Sequence, residues 1–176
     1  AVITVGSIKG GTKHNIIPDE VKLQLTVRTY KDEVRKLIHK RIKEICNGIA
    51  SSMGLDESRW PQVILPEQYT PANYNDENLV DIMVNVSESL IGKENVISSE
   101  PQMVGEDFAR YGSTKEDIPT VMYWLGTVPK ERMEKYNAGN YALPALHSPF
   151  YYPDIENSIR TGVLVSTESL IELFNK

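Results

Sequence analysis

The stretch "EVKLQLTVRTY", running straight into "KDEVRKLIHKRIKEICNGIASSM", constrains the fold more than any other part of the chain. In its first half Val21, Leu23, Leu25 and Val27 alternate strictly with Lys22, Gln24, Thr26 and Arg28. A period of two sends the apolar set to one face of a strand and the polar set to the other, so this is a strand buried on one side only. From Lys31 the period changes to three and four, and Val34, Leu37, Ile38, Ile42, Ile45, Cys46, Ile49 and Met53 line one side of an amphipathic helix of about six turns. Arg41 alone interrupts that stripe, and its long stem can lie along apolar surface while its head stays wet. Gly54 is placed to cap the helix at its C-terminal end.

Upstream, Ala1 to Ile8 is rich in Val, Ile and Thr and stops at the Gly-led connection "KGGTKHN". The connection is long enough for these residues to pair antiparallel with the strand that follows. The chain opens in this β-branched run without a polar lead-in or a cap, so it reads as starting inside an element, and a fragment is the expectation. Downstream, "PQVILPEQY" is expected as a short edge strand and "TPANYND" as a linker, with Asn75 or Asp76 capping a helix through Leu79, Ile82, Met83, Val86 and Leu90. Further strands are expected at "NVISSE" and "TVMYWLGT", separated by a Gly-acidic loop, "MVGEDFARYG". A long loop through "NAGNYALPALHSPF" leads to a last helix from about Ile155, with Ile159, Val163, Leu164, Thr167, Leu170, Ile171 and Phe174 on one side. The order is β-β-α-β and then α-β-β-α, which implies two α/β layers with a boundary near residue 74.

Composition excludes several classes. The 176 residues carry a net charge of -5 and are 40% apolar, the balance of a globular chain and not of one that tracks phosphates, so no nucleic-acid partner is expected. The basic run "RKLIHKRIK" is interleaved with apolar residues at helical spacing and reads as a solvated helix face. No stretch approaches the roughly 20 apolar residues that span a bilayer, so no membrane partner is expected either. The one cysteine, Cys46, falls on the apolar helical stripe; it precludes an internal disulfide and suits a reducing, cytoplasmic setting.

Chemistry-bearing residues are sparse. His14, His39 and His147 stand far apart, without the spacing of a zinc cluster, and serine-nucleophile, P-loop and dinucleotide motifs are missing. His147 sits in the Pro-rich, aromatic segment "ALPALHSPFYYPD" just before the last helix, a place that suits a metal ligand or a general base. Glu106 and Asp107 follow a glycine in the acidic loop; adjacent acids do not make an acid/base couple by spacing, and solvated or helix-capping acids are the simpler reading. Asn15 lies in the loop entering the second strand and Arg28 on that strand's polar face, a pairing of amide and guanidinium suited to a carboxylate.

Taken in order, "GSIKGGTKHNIIPDEVKLQLTVRTY", "MVGEDFA" and "ALHSPFYYPDIENSIRTGV" resemble the C-terminal part of the zinc-dependent aminoacylases and carboxypeptidases. The resemblance is to the amidohydrolase branch, that of hippurate, N-acyl-amino-acid and auxin-conjugate hydrolases, and it covers nearly the full chain. It implies that residues 1–74 are part of a two-layer α+β lid and dimerisation domain, and residues 75–176 the C-terminal part of a zinc-exopeptidase α/β domain. It implies metal-dependent hydrolysis of the amide bond in N-acyl-amino acids or small peptides by a homodimer joined through the lid. A divalent metal, expected to be zinc, would polarise the carbonyl and activate water. His147 would be a metal ligand, with the other ligands outside this chain, and Asn15 and Arg28 would grip the substrate's carboxylate. Glu106 and Asp107 would line the active site in a supporting role. Lys9 stands where histidine is common in this branch. The chain alone is expected to be inactive, and the alternative is a non-catalytic binding or dimerisation module of the same fold.

Overall fold

The computed structural model describes residues 1–175 and divides by internal contacts into two units. The first holds Ala1–Asn73 together with Glu100–Asp117; the second holds Tyr74–Ser99 and Ile118 onward. The architecture is mixed α/β.

In the first unit, strands β1 (Val2–Gly10) and β2 (Val21–Arg28) form an antiparallel two-stranded sheet, as their alternation and connection imply. The register is continuous from Val2↔Arg28 to Val5↔Leu25, then slips by one residue and resumes at Ser7↔Gln24. Gly6 is the extra residue of this bulge, and it decides which side chains share a face. Without it Ser7 and Lys9 would follow Ile3 and Val5 onto the apolar side; with it Ile8 joins Ile3 and Val5 opposite Leu23, Leu25 and Val27. The apolar face is only half covered, with Val5 47% and Leu25 42% exposed.

Helix α1 (Asp32–Ser52) occupies the span that its period requires. Met53 closes it and Gly54 follows at φ 71°, the left-handed position that glycine takes without a Cβ penalty. Val34, Ile38, Ile42 and Cys46 are half-buried, whereas Leu37, Ile45 and Ile49 on the same stripe are exposed. Arg41 is exposed and holds Glu44 at 2.6 Å.

In the second unit, Asp76 and not Asn75 caps α2 (Glu77–Ile91), its carboxylate accepting from the Leu79 N–H at 3.0 Å. Asn75 instead spans 47 residues: its Nδ2 donates to the Met122 carbonyl at 2.8 Å and its Oδ1 accepts from the Met122 N–H at 2.9 Å. Asp76 N–H donates to the Thr120 carbonyl at 2.8 Å. Residues 120–127 are therefore extended and held by neighbours without being a strand, which corrects the expected strand at "TVMYWLGT". The expected strands at "PQVILPEQY" and "NVISSE" are likewise irregular, and Lys93–Asn95 forms a single 3-10 turn. Their β-branched residues favour extension, but a strand also needs a neighbour's hydrogen-bonding edge, and among the described residues these segments have none.

Two helices fall where loops were expected: α3 (Ala109–Gly112) and α4 (Lys130–Asn137). The α4 signal was present, since Pro129 precedes the helix formers "KERMEKYN" and Gly139 follows at φ 74°. The last helix, α5 (Ile155–Phe174), begins where expected, with Asp154 accepting from Asn157 N–H at 3.3 Å. Its buried residues are Ser158, Val165 and Ser169 and not the expected stripe, of which Ile159, Val163 and Phe174 are exposed. Small residues win this face because they allow close approach: a Cβ on Gly162 would lie 3.0 Å from Leu125 Cδ2. No described helix is long and apolar enough to cross a membrane.

Candidate functional site

Arg28 ends β2 on the polar face of the sheet, opposite Val2. Its guanidinium reaches the Gly-acidic segment, where a Cβ on Gly105 would stand 3.3 Å from Nη1. Glycine leaves room for that approach, so Arg28 and the segment bearing Glu106 and Asp107 meet within the first unit. Arg28 forms no ion pair among the described residues.

Glu106 is half-buried and turns back on its own backbone, Oε1 accepting from Phe108 N–H at 3.1 Å. Asp107 is exposed, and its carbonyl accepts from Arg110 N–H at 3.0 Å as α3 begins. One Glu106 oxygen thus shapes the loop ahead of α3 through a local side-chain-to-backbone bond. Asn15 is exposed in the β1–β2 connection, in a turn where Ile16 N–H donates to the Lys13 carbonyl at 3.3 Å.

Sequence reasoning missed Tyr69. The Arg35 guanidinium lies 3.7 Å over its ring, while Arg35 Nε donates to Asp32 Oδ1 at 2.9 Å and Arg110 Nη2 donates to the Tyr69 carbonyl at 3.4 Å. These contacts tie the irregular segment after α1 to the start of α1 and to α3. No local signal links positions separated by 34 and 41 residues. At the centre, the hydrogen bond from Lys36, and then that from Arg35, hold the Asp32 carboxyl at about 2, below its ordinary 3.8.

In the second unit His147 is exposed at the third position of a turn closed by Ser148 N–H to the Ala145 carbonyl at 2.9 Å. A second turn follows at once, with Tyr151 N–H donating to the Ser148 carbonyl at 3.0 Å and Phe150 N–H to Ser148 Oγ at 3.2 Å. Two consecutive turns fix the backbone that presents the imidazole. Among the described residues no group of three or more His, Cys, Asp or Glu side chains converges to hold a metal ion. One exposed imidazole does not make a tight metal site, which takes three or four converging donors, so the residues present here do not complete one. A groove of about 490 Å³ along α2, lined by Asn78, Asp81, Asn85 and Glu172 among others, contains none of the candidate residues.

The fold is shared with a solved structure. Over 99% of this chain and 42% of the other, it superposes with a TM-score of 0.72 and 24% identity on the Bacillus subtilis YXEP protein, described as a dinuclear metal binding peptidase from the M20 family. Residues 2–53 match the peptidase dimerisation domain of that family. The N-acetyldiaminopimelate deacetylase of Streptococcus suis (strain 05ZYH33) is 35% identical over 126 residues, which is 72% of this chain and 32% of the relative. That of Halalkalibacterium halodurans is 37% identical over 128 residues, with the same shares covered. The chain belongs to the M20 family of peptidases and amidohydrolases. It spans about a third of the length of the curated relatives it matches.

Proposed function

We infer that this chain is the C-terminal part of a metal-dependent amidohydrolase that cleaves the amide of an N-acyl-amino acid or a small peptide. Residues 1–74 serve as part of the lid and dimerisation domain, and residues 75–176 as the end of the catalytic domain. The observation that carries the reading is the Arg28 guanidinium, without an ion pair among the described residues and against Gly105 beside Glu106. A fixed fork of donors free of a protein carboxylate is suited to a substrate carboxylate. Asn15, in the connection that enters β2 at the end opposite Arg28, adds an amide donor to the same task from the other copy of the homodimer, and Glu106 and Asp107 support the loop. The names of the curated relatives support removal of a small acyl group from nitrogen.

His147 supplies one ligand to a divalent metal, in our reading zinc, whose other ligands lie outside these 176 residues. The bond-breaking step is therefore not carried by this chain's own side chains, and the chain alone is inactive. The match to a dimerisation domain over β1, β2 and α1 supports a homodimer. The single cysteine supports a cytoplasmic setting.

The test is Arg28→Ala in the intact protein, with an N-acyl-amino acid and its amide-capped counterpart as matched substrates. Loss of one partner from a desolvated charge pair costs about 2 to 5 kcal/mol, so kcat/KM for the free acid falls by about 30-fold or more while that for the capped form barely moves. Arg28→Lys restores only part of the loss, because the bidentate fork is gone. Equal losses on both substrates would remove Arg28 from carboxylate recognition. Failure of the intact protein to hydrolyse any such amide would favour a non-catalytic module.

A further inference from the structure

Arg28 closes β2 and Asp32 opens α1, and both side chains lead to the same distant segment. Arg28 reaches it directly, with Nη1 3.3 Å from the place that a Cβ on Gly105 would take. Asp32 leads to it by relay. Its Oδ1 accepts from Arg35 Nε at 2.9 Å, the Arg35 guanidinium lies 3.7 Å over the Tyr69 ring, and the Tyr69 carbonyl accepts from Arg110 Nη2 at 3.4 Å. Arg110 belongs to α3, directly after the Gly-acidic segment. All of these residues lie in the first unit, so the contacts close into a ring.

The stretch from Gly105 to Arg110 is internally tied. Glu106 Oε1 accepts from Phe108 N–H at 3.1 Å, the Asp107 carbonyl accepts from Arg110 N–H at 3.0 Å, and the Phe108 and Tyr111 rings pack with centroids 5.4 Å apart. It therefore moves as one piece. Ala109, 4% exposed, seats that piece at one point, and a single helical turn held at one point can still swivel. The bond from Arg110 to Tyr69 is a second point, and it stops the swivel. Tyr69 is 46% exposed in an irregular segment, so the Arg35 guanidinium over its ring, rather than burial, holds it.

We propose that Arg110 and Tyr69 are positioning residues for Arg28, holding the Gly105 segment where its backbone sets the aim of the guanidinium at a substrate carboxylate. The inference rests on the carboxylate role of Arg28 and adds what fixes its geometry. A long side chain without an ion pair has many rotamers, and a bidentate fork works only when both of its donors face the carboxylate. Gly105 limits the swing of that fork on one side, and a displacement of about 1 Å at such a contact is costly.

The experiment uses the intact protein with an N-acyl-amino acid and its amide-capped counterpart. It reads kcat and KM separately, or Kd by calorimetry if neither is hydrolysed. Both side chains are exposed, so the variants fold, which circular dichroism checks. Arg110→Met raises KM or Kd for the free acid about tenfold, leaves kcat unchanged and leaves the capped form within about twofold. Arg110→Lys, which keeps one donor for the Tyr69 carbonyl, recovers most of that loss. Tyr69→Leu costs about threefold, and the double variant is no worse than Arg110→Met because both act through one contact. In an Arg28→Ala background, Arg110→Met changes neither substrate further. A loss shared by the acid and capped forms is what a merely structural role gives, and it overturns the proposal, as does no loss at all. A loss that persists in the Arg28→Ala background overturns it too, because Arg110 would then touch the carboxylate itself. If Arg28→Ala separates the acid from the capped form while the Arg110 and Tyr69 variants do not, only the positioning inference falls. If Arg28→Ala does not separate them, the carboxylate reading falls first and this inference with it.

Discussion

Replacing Asn75 with alanine should loosen residues 120–127 without unfolding the unit that holds them. The side-chain amide satisfies both backbone groups of Met122, donating at 2.8 Å and accepting at 2.9 Å, as a neighbouring strand would. Each such bond contributes about 1 kcal/mol net, and an unpaired buried partner costs more. Met122 is only half-buried, so water takes over part of the lost pairing, and the two bonds together are worth about 1 to 2 kcal/mol. Read by native-state hydrogen exchange, the Met122 amide should lose about 5- to 30-fold in protection, while amides in the middle of α2 change little. Asn75→Asp separates the two bonds, because its carboxylate keeps the acceptor for the Met122 N–H but faces the Met122 carbonyl with oxygen. It should therefore fall between wild type and Asn75→Ala. Unchanged Met122 exchange in the alanine variant would refute the idea that one side chain substitutes for a strand here, as would an aspartate variant more damaging throughout unit two than alanine.

His147→Ala in the intact protein should lower metal content and activity together, by more than the 10- to 100-fold typical of losing a residue behind a ligand, while β1, β2 and α1 keep their circular dichroism. Full metal occupancy by elemental analysis would remove His147 from the ligand set. Asp32 predicts an acid-side effect: its folded carboxyl sits at about 2 against an ordinary 3.8, so its pairs with Lys36 and Arg35 support α1 above that range and fade as pH falls through it. An Asp32 carboxyl titrating by NMR at its ordinary value, or α1 helicity in Asp32→Asn with the same acid profile as wild type, would contradict this.

The strand β2 and the helix α1 were legible because their signals are local and repeated. Four alternating apolar residues define one face of a strand, a stripe at spacings of three and four defines a helix, and Asp76 marks a helix start with its own side chain. The motif residues Arg28, Glu106 and His147 could be picked out for the same reason, as short patterns written in order along the chain. What the sequence withheld is what depends on a distant partner. The segments 61–69, 95–100 and 120–127 have strand composition, but a strand is a relation between two backbones, and without a paired edge the composition yields only extended chain. The bulge at Gly6 sets the face of Ile8, and hence of Lys9, by the register against β2 rather than by any local rule. The meeting of Arg28 with Gly105, 77 positions further on, required the tertiary fold. Periodicity is a property of neighbours along the chain and survives in one dimension; contact between residues far apart is decided only when the chain closes on itself in three.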